Sequence, residues 1–184
     1  MAFTIDKFRT TALSAGGARA NLFEVVISYI DANLMGAGAV NEFTFACKAA
    51  NIPAMAVGVV EVPYFGRVVK VPGNKTFENW TVTVINDEDF NLRNGFEKWM
   101  EGMGTHEGNV STISAGDGTL YGDATVKHYG KSGKTNVLAT YKFTNIFPVS
   151  VSEIALAWDS NDAIEEFTVE FAYDYWKHEG VVTL

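Results

Sequence analysis

The feature that most constrains the fold is a long alternating segment near the end of the chain. From Ile164 onward, apolar and polar side chains alternate with a period of two residues. The first set consists of Phe167, Val169, Phe171, Tyr173 and Tyr175. The second set consists of Glu166, Thr168, Glu170, Ala172 and Asp174. A β-strand with one buried face and one solvated face produces this pattern. We therefore predict a strand over Ile164–Tyr175 whose solvated face is acidic.

The rest of the chain predicts a β-rich fold with one flanking helix. Further strands are predicted over Leu22–Ile30, Phe43–Ala49, Val57–Phe65, Arg67–Val71, Trp80–Ile85, Ala124–Tyr129, Val137–Ile146 and Val151–Ala157. The helix is predicted over Asp89–Met103, where apolar residues recur at helical spacing, with Asn86 or Asp87 as its N-cap and Gly104 at its end. A mainly β chain of this kind is typical of a β-sandwich or barrel.

Composition predicts a single domain over residues 1–184, with an N-terminal arm over 1–20 and a long loop over 104–122. A chain of 184 residues that is 47% hydrophobic can bury a substantial core. The formal net charge of -8 argues against adhesive binding to nucleic acid, which needs clustered basic residues. No segment reaches the roughly 20 apolar residues of a membrane span. The first residues lack the continuous apolar core of a secretion signal, so we expect synthesis in the cytoplasm.

The sequence gives no sign of catalytic chemistry. The single cysteine, Cys47, is predicted to be a small buried thiol rather than a nucleophile. The three histidines lack metal-ligand spacing, and the partial calcium-loop pattern that begins at Asp159 has Ile164 where glycine is required. We therefore expect no enzyme activity, no catalytic residue, no metal and no cofactor.

One segment is more apolar than a lone hairpin normally leaves in water. Asn51–Phe77 carries a series of large apolar residues around a turn at Gly66. The candidates for a subunit interface are Ile52, Met55, Val59, Tyr64, Phe65 and Val68. They either pack within their own subunit or reach a neighbouring subunit, and we favour the neighbour.

Several long segments resemble one known family. The runs Gly66–Phe90 and Phe147–Asn161, followed by Tyr173-Asp-Tyr-Trp176, are similar to the tail tube proteins of contractile-tailed, T4-like bacteriophages. Asn21–Tyr29 and Phe43–Pro53 fit the opening strands of that family. The resemblance covers most of 21–176 in the same order. It is weakest over the first twenty residues, over 31–41 and over 104–122.

The resemblance implies a structural protein of the virion tail. Six copies would close into a ring whose inner wall is a β-barrel, and rings would stack into a tube that conducts the genome. The implied partners are other copies, the sheath, a baseplate tube initiator, a tail terminator and phage DNA that passes without specific binding. The candidates for the bore lining are Glu166, Glu170 and Asp174, although the same residues could instead solvate the outer surface. Two alternatives remain: the tube of a tailocin or other contractile injection system, and a β-barrel that binds a small ligand.

Overall fold

The fold is mainly β, as predicted. A computed structural model describes residues 4–11, 13, 16–28, 35, 37–112 and 120–180. Its elements are α1 Ile5–Thr11, β1 Phe23–Ser28, α2 Ala37–Ala46, β2 Cys47–Ala50, β3 Met55–Tyr64, β4 Arg67–Phe77, β5 Trp80–Ile85, α3 Asn91–Met103, β6 Gly122–Gly130, β7 Gly133–Val151, β8 Glu166–Ala172 and β9 Tyr175–Glu179. The predicted end of the first strand at Ile30 and the middle of the predicted loop, 113–119, lie outside the described residues.

A seven-stranded antiparallel sheet carries the fold, and β7 joins its two halves. The order is β1-β6-β7-β8-β5-β2, with β9 also paired to β7. The first part of β7 pairs with β6 and β9, whereas Phe147–Val151 pairs with β8. Asn145 lies at the change, with φ of 57°, in the left-handed region that asparagine tolerates better than most residues. Its side chain donates to Asp174 Oδ2 at 2.5 Å, and its amide to Asp123 Oδ1 at 3.3 Å. One bulged strand therefore serves both halves of the sheet.

The core lies between the two halves and beneath α3. Trp80 of β5 stacks on Phe143 of β7, with ring centroids 4.6 Å apart. Phe96 of α3 meets Phe167 and Phe171 of β8 edge-on, at 6.2 and 5.9 Å. All five rings are almost fully buried. Aromatic pairs of this kind stabilise the fold beyond the burial of their area alone.

The predicted strand Phe43–Ala49 is wrong over most of its length. Residues 37–46 form α2, and only Cys47–Ala50 forms a strand. Phe43 is fully buried and packs edge-on against Phe96 at 5.8 Å, whereas Phe45 is 84% exposed. Cys47 lies in β2, whereas Phe43 and Phe45 lie in α2, so the three residues do not share a strand face. Packing of the helical face against α3 overrides the local strand preference of the Phe-Thr-Phe sequence.

Three smaller predictions also need correction. The N-cap of α3 is Phe90, with φ of 54°, rather than Asn86 or Asp87; Asp89 Oδ1 instead accepts the Asn91 amide at 3.1 Å. Residues 152–157 are not a strand, because β7 ends at Val151. The last predicted strand is divided at residues 173–174 into β8 and β9. Its alternation holds within β8, where Phe167, Val169 and Phe171 are buried.

Gly95 lies where α3 crosses close to α2. A Cβ at this position would lie 3.0 Å from Met35 Cγ and 3.2 Å from the Met35 carbonyl oxygen. Alanine should improve helix propensity by about 1 kcal/mol, but overpacking of this kind costs roughly 1–3 kcal/mol. We expect Gly95→Ala to lower the free energy of unfolding by about 1 kcal/mol in urea titrations of the soluble subunit. The matched change at the exposed neighbour, Asn94→Ala, should be neutral or slightly stabilising; equal gains from both variants would contradict the close contact.

Candidate functional site

A long exposed hairpin is formed by β3 and β4, and we call it the arm (Met55–Phe77). The two strands pair from Met55↔Phe77 to Tyr64↔Arg67 and turn at Phe65 and Gly66. Every residue of β3 is exposed. The predicted interface residues Ile52, Met55, Val59, Tyr64, Phe65 and Val68 are between 46% and 90% exposed. The subunit alone therefore leaves both faces of an apolar hairpin in water.

The arm is fixed at its base and free at its edges. Phe77 packs near Tyr173 and Trp176, with ring centroids at 6.1 and 6.3 Å, and the Glu78 amide donates to the Ala54 carbonyl at 3.5 Å. The two strands form a sheet of their own, so each keeps one edge without a strand partner in the described chain. Unpaired edges and apolar side chains together favour association with another chain.

The arm tip is an aromatic pair. The rings of Tyr64 and Phe65 meet edge-on with centroids 4.6 Å apart, and Phe65 is 90% exposed. Phe65 has φ of 42° and Gly66 has φ of 77°, so both turn residues occupy left-handed conformations. Glycine adopts this conformation without strain, whereas phenylalanine does so at a cost. The tip thus presents a fixed apolar end rather than a polar turn.

The three predicted bore residues have local partners. Lys48 of β2 pairs with Glu166. Asn79 donates to Glu170 Oε1 at 2.8 Å, and Asn145 donates to Asp174. Glu166 and Glu170 lie on the face of β8 opposite the core, as predicted, whereas Asp174 lies in the bend before β9. The structure therefore places two of the three on one sheet face and the third beside it.

The outer faces of the two halves of the sheet also carry lysines that the sequence reasoning missed. Besides Lys48, they are Lys127 of β6, Lys142 of β7 and Lys177 of β9. Lys142 lies opposite Lys177 in the strand register, and Lys127 lies opposite Glu24. Lys48 lies on the half that holds Glu166 and Glu170, and the other three lysines lie on the other half with Glu24, so each outer face is mixed in charge. Acidic residues concentrate instead in the turn before α3 and in the loop between β7 and β8.

Hydrogen bonds hold the carboxylate of Glu24, in β1, in its charged form. Lys134 Nζ and the Tyr129 hydroxyl donate to Glu24 at 2.7 and 2.5 Å. The hydrogen bond from Lys134, and to a smaller extent the one from Tyr129, lower the pKa of Glu24. Burial first, and then the contact with Glu24, raise the pKa of Tyr129 to about 12. These groups fix the edge formed by β1 and β6 and offer no proton donor or acceptor near neutral pH.

Three other carboxylates, those of Glu42, Asp87 and Asp89, converge beside α3, with oxygens within 4.8 Å of one another. Burial first, and then repulsion from Asp89 and Asp87, raise the pKa of Glu42. Clustered acids of this kind are common at exposed turns, and we assign no ligand to them.

Cys47 is only partly exposed and has no basic partner in the described structure. Its thiol donates weakly to the Ala49 carbonyl at 3.8 Å, while the neighbouring Lys48 ammonium is engaged by Glu166. Burial raises the pKa of this thiol to about 12. The environment therefore disfavours the thiolate that nucleophilic chemistry needs.

We expect Cys47 to react with iodoacetamide at pH 8 on the order of 10³-fold more slowly in the folded subunit than in urea. The reason is the small thiolate fraction that accompanies the raised pKa. Mass spectrometry of the alkylated protein over time measures both rates. Equal rates in the two conditions would contradict the burial of the thiol.

Among the described residues, no helix is both long enough and apolar enough to cross a membrane.

Comparison with known proteins places this architecture in a family. The family model for phage tail tube proteins matches residues 18–179. The chain is 38% identical to the tail tube protein gp19 of Enterobacteria phage T4 over 170 residues, which cover 91% of this chain and 96% of that protein. It is 24% identical over 171 residues to the tail tube protein of Serratia phage KSP90, which covers 92% of this chain and 94% of that protein.

Solved structures agree on the fold. The sheath-tube complex of an extracellular contractile injection system matches with a TM-score of 0.61 at 14% identity, covering 98% of this chain and all of that one. The tube-terminating cap of the anti-feeding prophage matches with a TM-score of 0.64 at 16% identity, covering 89% and 91%. Both similarities concern the fold, while the sequence match to gp19 extends over nearly the whole chain. The chain therefore belongs to the phage tail tube protein family.

Proposed function

We propose that this chain forms hexameric rings that stack into the inner tube of a contractile phage tail and conduct DNA without binding it specifically. Membership of the tail tube family makes the chain a structural component of the virion tail and not an enzyme. The observation that carries the proposal is the arm, whose apolar side chains and strand edges are exposed in the single subunit. Such a surface is stable in water when another copy covers it.

A head-to-tail arrangement suits this surface. A contact between two identical arms would join two copies and stop there, so a ring or a tube needs a contact between the arm and a different surface. A contact between two different patches forms a ring where rotation closes it and a filament where it does not. We propose that the arm, together with Ile52 just before it, makes this contact with a neighbouring copy. The contact residues are Ile52, Met55, Val59, Tyr64, Phe65 and Val68. Closure would also cover the exposed edges that otherwise promote uncontrolled aggregation.

We propose that the sheath protein, a baseplate initiator and a tail terminator are the further partners, and that synthesis takes place in the host cytoplasm. Related folds occur in the sheath-tube complex of an extracellular contractile injection system, and in the tube-terminating cap and the baseplate of the anti-feeding prophage. These folds leave the tube of an injection system as the second candidate. The 38% identity to gp19 of phage T4 favours the phage tail.

A small-ligand-binding barrel is less consistent with the structure. That alternative needs an enclosed apolar cavity between the two halves of the sheet. In the described residues, stacked Trp80 and Phe143 fill this space, with Phe171 against Trp80 at 5.4 Å. A filled core leaves the outer surfaces for function.

Electron microscopy of the purified chain tests the proposal. We expect rings or tubes in negative stain, together with a sedimentation profile that shifts to heavy species as protein concentration rises. A baseplate initiator should lower the concentration at which tubes form. Monomers alone, over a wide range of concentration and salt and with the initiator present, would overturn the proposal.

A further inference from the structure

A second exposed apolar surface lies in the loop between β7 and β8, residues 152–165, which we call the acidic loop. Leu156 is 80% exposed, Ile164 is 72% exposed, and Trp158 is fully exposed. A tryptophan that lies entirely in water gains none of the stabilisation that burial of its large apolar side chain would give. Residues of this kind mark interaction sites when they occur together with other exposed apolar groups.

The two ends of the acidic loop are fixed to the core. The Ser152 amide donates to the Thr168 carbonyl at 2.8 Å, the Thr168 amide donates to Ser152 Oγ at 2.8 Å, and Arg93 donates to the Ser152 carbonyl at 2.5 Å. At the other end, the backbone and side chain of Asn86 both donate to Glu165, at 2.9 and 3.1 Å. A loop that is held at both ends loses less entropy when it binds than a free segment does.

Charge indicates which partner the acidic loop prefers. Its charged residues are Glu153, Asp159, Asp162 and Glu165, without a lysine or arginine. The arm has the opposite bias, because Arg67, Lys70 and Lys75 outnumber Glu61. Lys70 pairs with Glu61 at 3.8 Å, whereas the described structure gives Arg67, at the arm tip, no ion pair. Complementary charge of this kind steers association and fixes register.

The arm and the acidic loop are both uncovered in a single subunit. Apart from its base at Phe77, the arm is exposed along its length, and the acidic loop is exposed from Ala155 to Ile164. Each surface combines apolar side chains with an excess of one sign of charge, and the two signs are opposite. One surface is a hairpin and the other is a loop, so their contact would be head-to-tail.

We propose that the acidic loop is the binding surface for the arm tip of a second copy of this chain. Trp158 and Leu156 would cover Tyr64 and Phe65, while Asp159 and Asp162 would face Arg67 and Lys70. This inference rests on the proposed self-assembly and specifies the surface that the arm occupies. Each copy would offer one arm and one acidic loop, so the contact repeats without limit in a tube.

Cross-linking tests the contact without altering the aromatic and charged side chains that are proposed to meet across it. Val68→Cys and Ser160→Cys place thiols beside the two surfaces, in a Cys47→Ala background that has no other cysteine. Treatment of assembled protein with a short bis-maleimide should give a ladder of covalent multimers on denaturing gels. Either single-cysteine variant should give dimers at most, and Val68→Cys with Val110→Cys is the matched control, because Val110 is an exposed residue outside both surfaces. Assembled tubes without a ladder would overturn the inference.

Charge exchange gives an independent readout. Arg67→Glu with Lys70→Glu, and separately Asp159→Lys with Asp162→Lys, should each raise the critical concentration for tubes about tenfold through like-charge contacts. Combining all four substitutions should restore it to within about threefold of the wild type. If the combined variant has a critical concentration as high as that of the worse charge variant, the inference is wrong. Tubes from the wild-type chain would in that case still support the proposed function. Absence of tubes from the wild-type chain would overturn both.

Discussion

Replacement of Tyr64 and Phe65 by serine is expected to abolish tube formation while the subunit stays folded. Both side chains are mostly exposed in the single subunit, at 66% and 90%, so the fold loses little when they are truncated. In the proposed tube they are buried against a neighbouring copy. Full burial of a side chain of this size contributes about 1.5–3 kcal/mol. Loss of both at every contact therefore weakens each contact by more than a hundredfold.

Sedimentation and negative-stain microscopy measure the loss of tubes, and circular dichroism with urea unfolding measures the fold. The double variant should unfold within about 0.5 kcal/mol of the wild type, as surface changes usually do. The matched control is Val110→Ser, which removes an exposed apolar side chain outside the arm, and it should assemble normally. Normal tubes from the double variant would refute the role of the arm tip. An unfolded double variant would show instead that the tip stabilises its own subunit.

The strands whose side chains alternate cleanly were predictable from sequence. Trp80–Ile85 was placed correctly to the residue, because Trp80, Val82 and Val84 are buried and its two threonines are not. The same reasoning gave the arm around Gly66 and the helix that ends at Met103. In these segments the local preference and the tertiary environment agree, so the pattern alone is sufficient.

The wrong prediction of a strand at α2 has a physical reason, and the sequence contains a pattern that indicates the helix. Phe43 and Phe45 alternate as they would in a strand, yet only Phe43 is buried. Met35, Ala39 and Phe43 are spaced by four residues, and all three are buried, as the inner face of a helix requires. Weight on that spacing would have favoured the helix. The sequence could not show that α3 packs against the inner face of α2.

The candidate site was also predictable from the sequence only in part. The exposed apolar arm was predictable, because its excess of large apolar residues exceeds what one hairpin can bury by itself. The charge of the outer sheet face was not, because Lys48 reaches Glu166 from β2, which lies two strands away from β8 in the sheet. A sequence gives the alternation within each strand, but the order of strands decides which charges become neighbours.

That mixed face changes the expectation for the bore without removing the three acidic candidates. We still propose that Glu166, Glu170 and Asp174 line the channel, with Lys48 paired to Glu166 among them. Such a wall would attract the duplex little, since tight binding requires clustered lysine and arginine that displace the counterions of the phosphates. Lysine at the three acidic positions would add to the charge of Lys48 and make this part of the wall basic.

Virions that carry Glu166→Lys, Glu170→Lys and Asp174→Lys together are therefore expected to assemble tails but eject DNA at least about tenfold more slowly at low salt. Each substitution replaces a negative charge with a positive one, and the added lysines would bind passing phosphates. The effect should fade as salt rises, because screening confines such fields to roughly 8 Å at physiological ionic strength. Ejection of dye-labelled DNA from single particles, measured across salt concentrations, provides the rate.

The matched control neutralises the same positions as Glu166→Gln, Glu170→Gln and Asp174→Asn. These amides keep the size of the side chains and can still accept the hydrogen bonds from Asn79 and Asn145. The control virions should eject DNA at nearly the wild-type rate, which separates the effect of positive charge from the loss of local contacts. Lysine virions that assemble and eject normally at low salt would show that these residues lie away from the channel. Equal slowing in both sets would show that the local contacts, not the charge of the wall, govern passage.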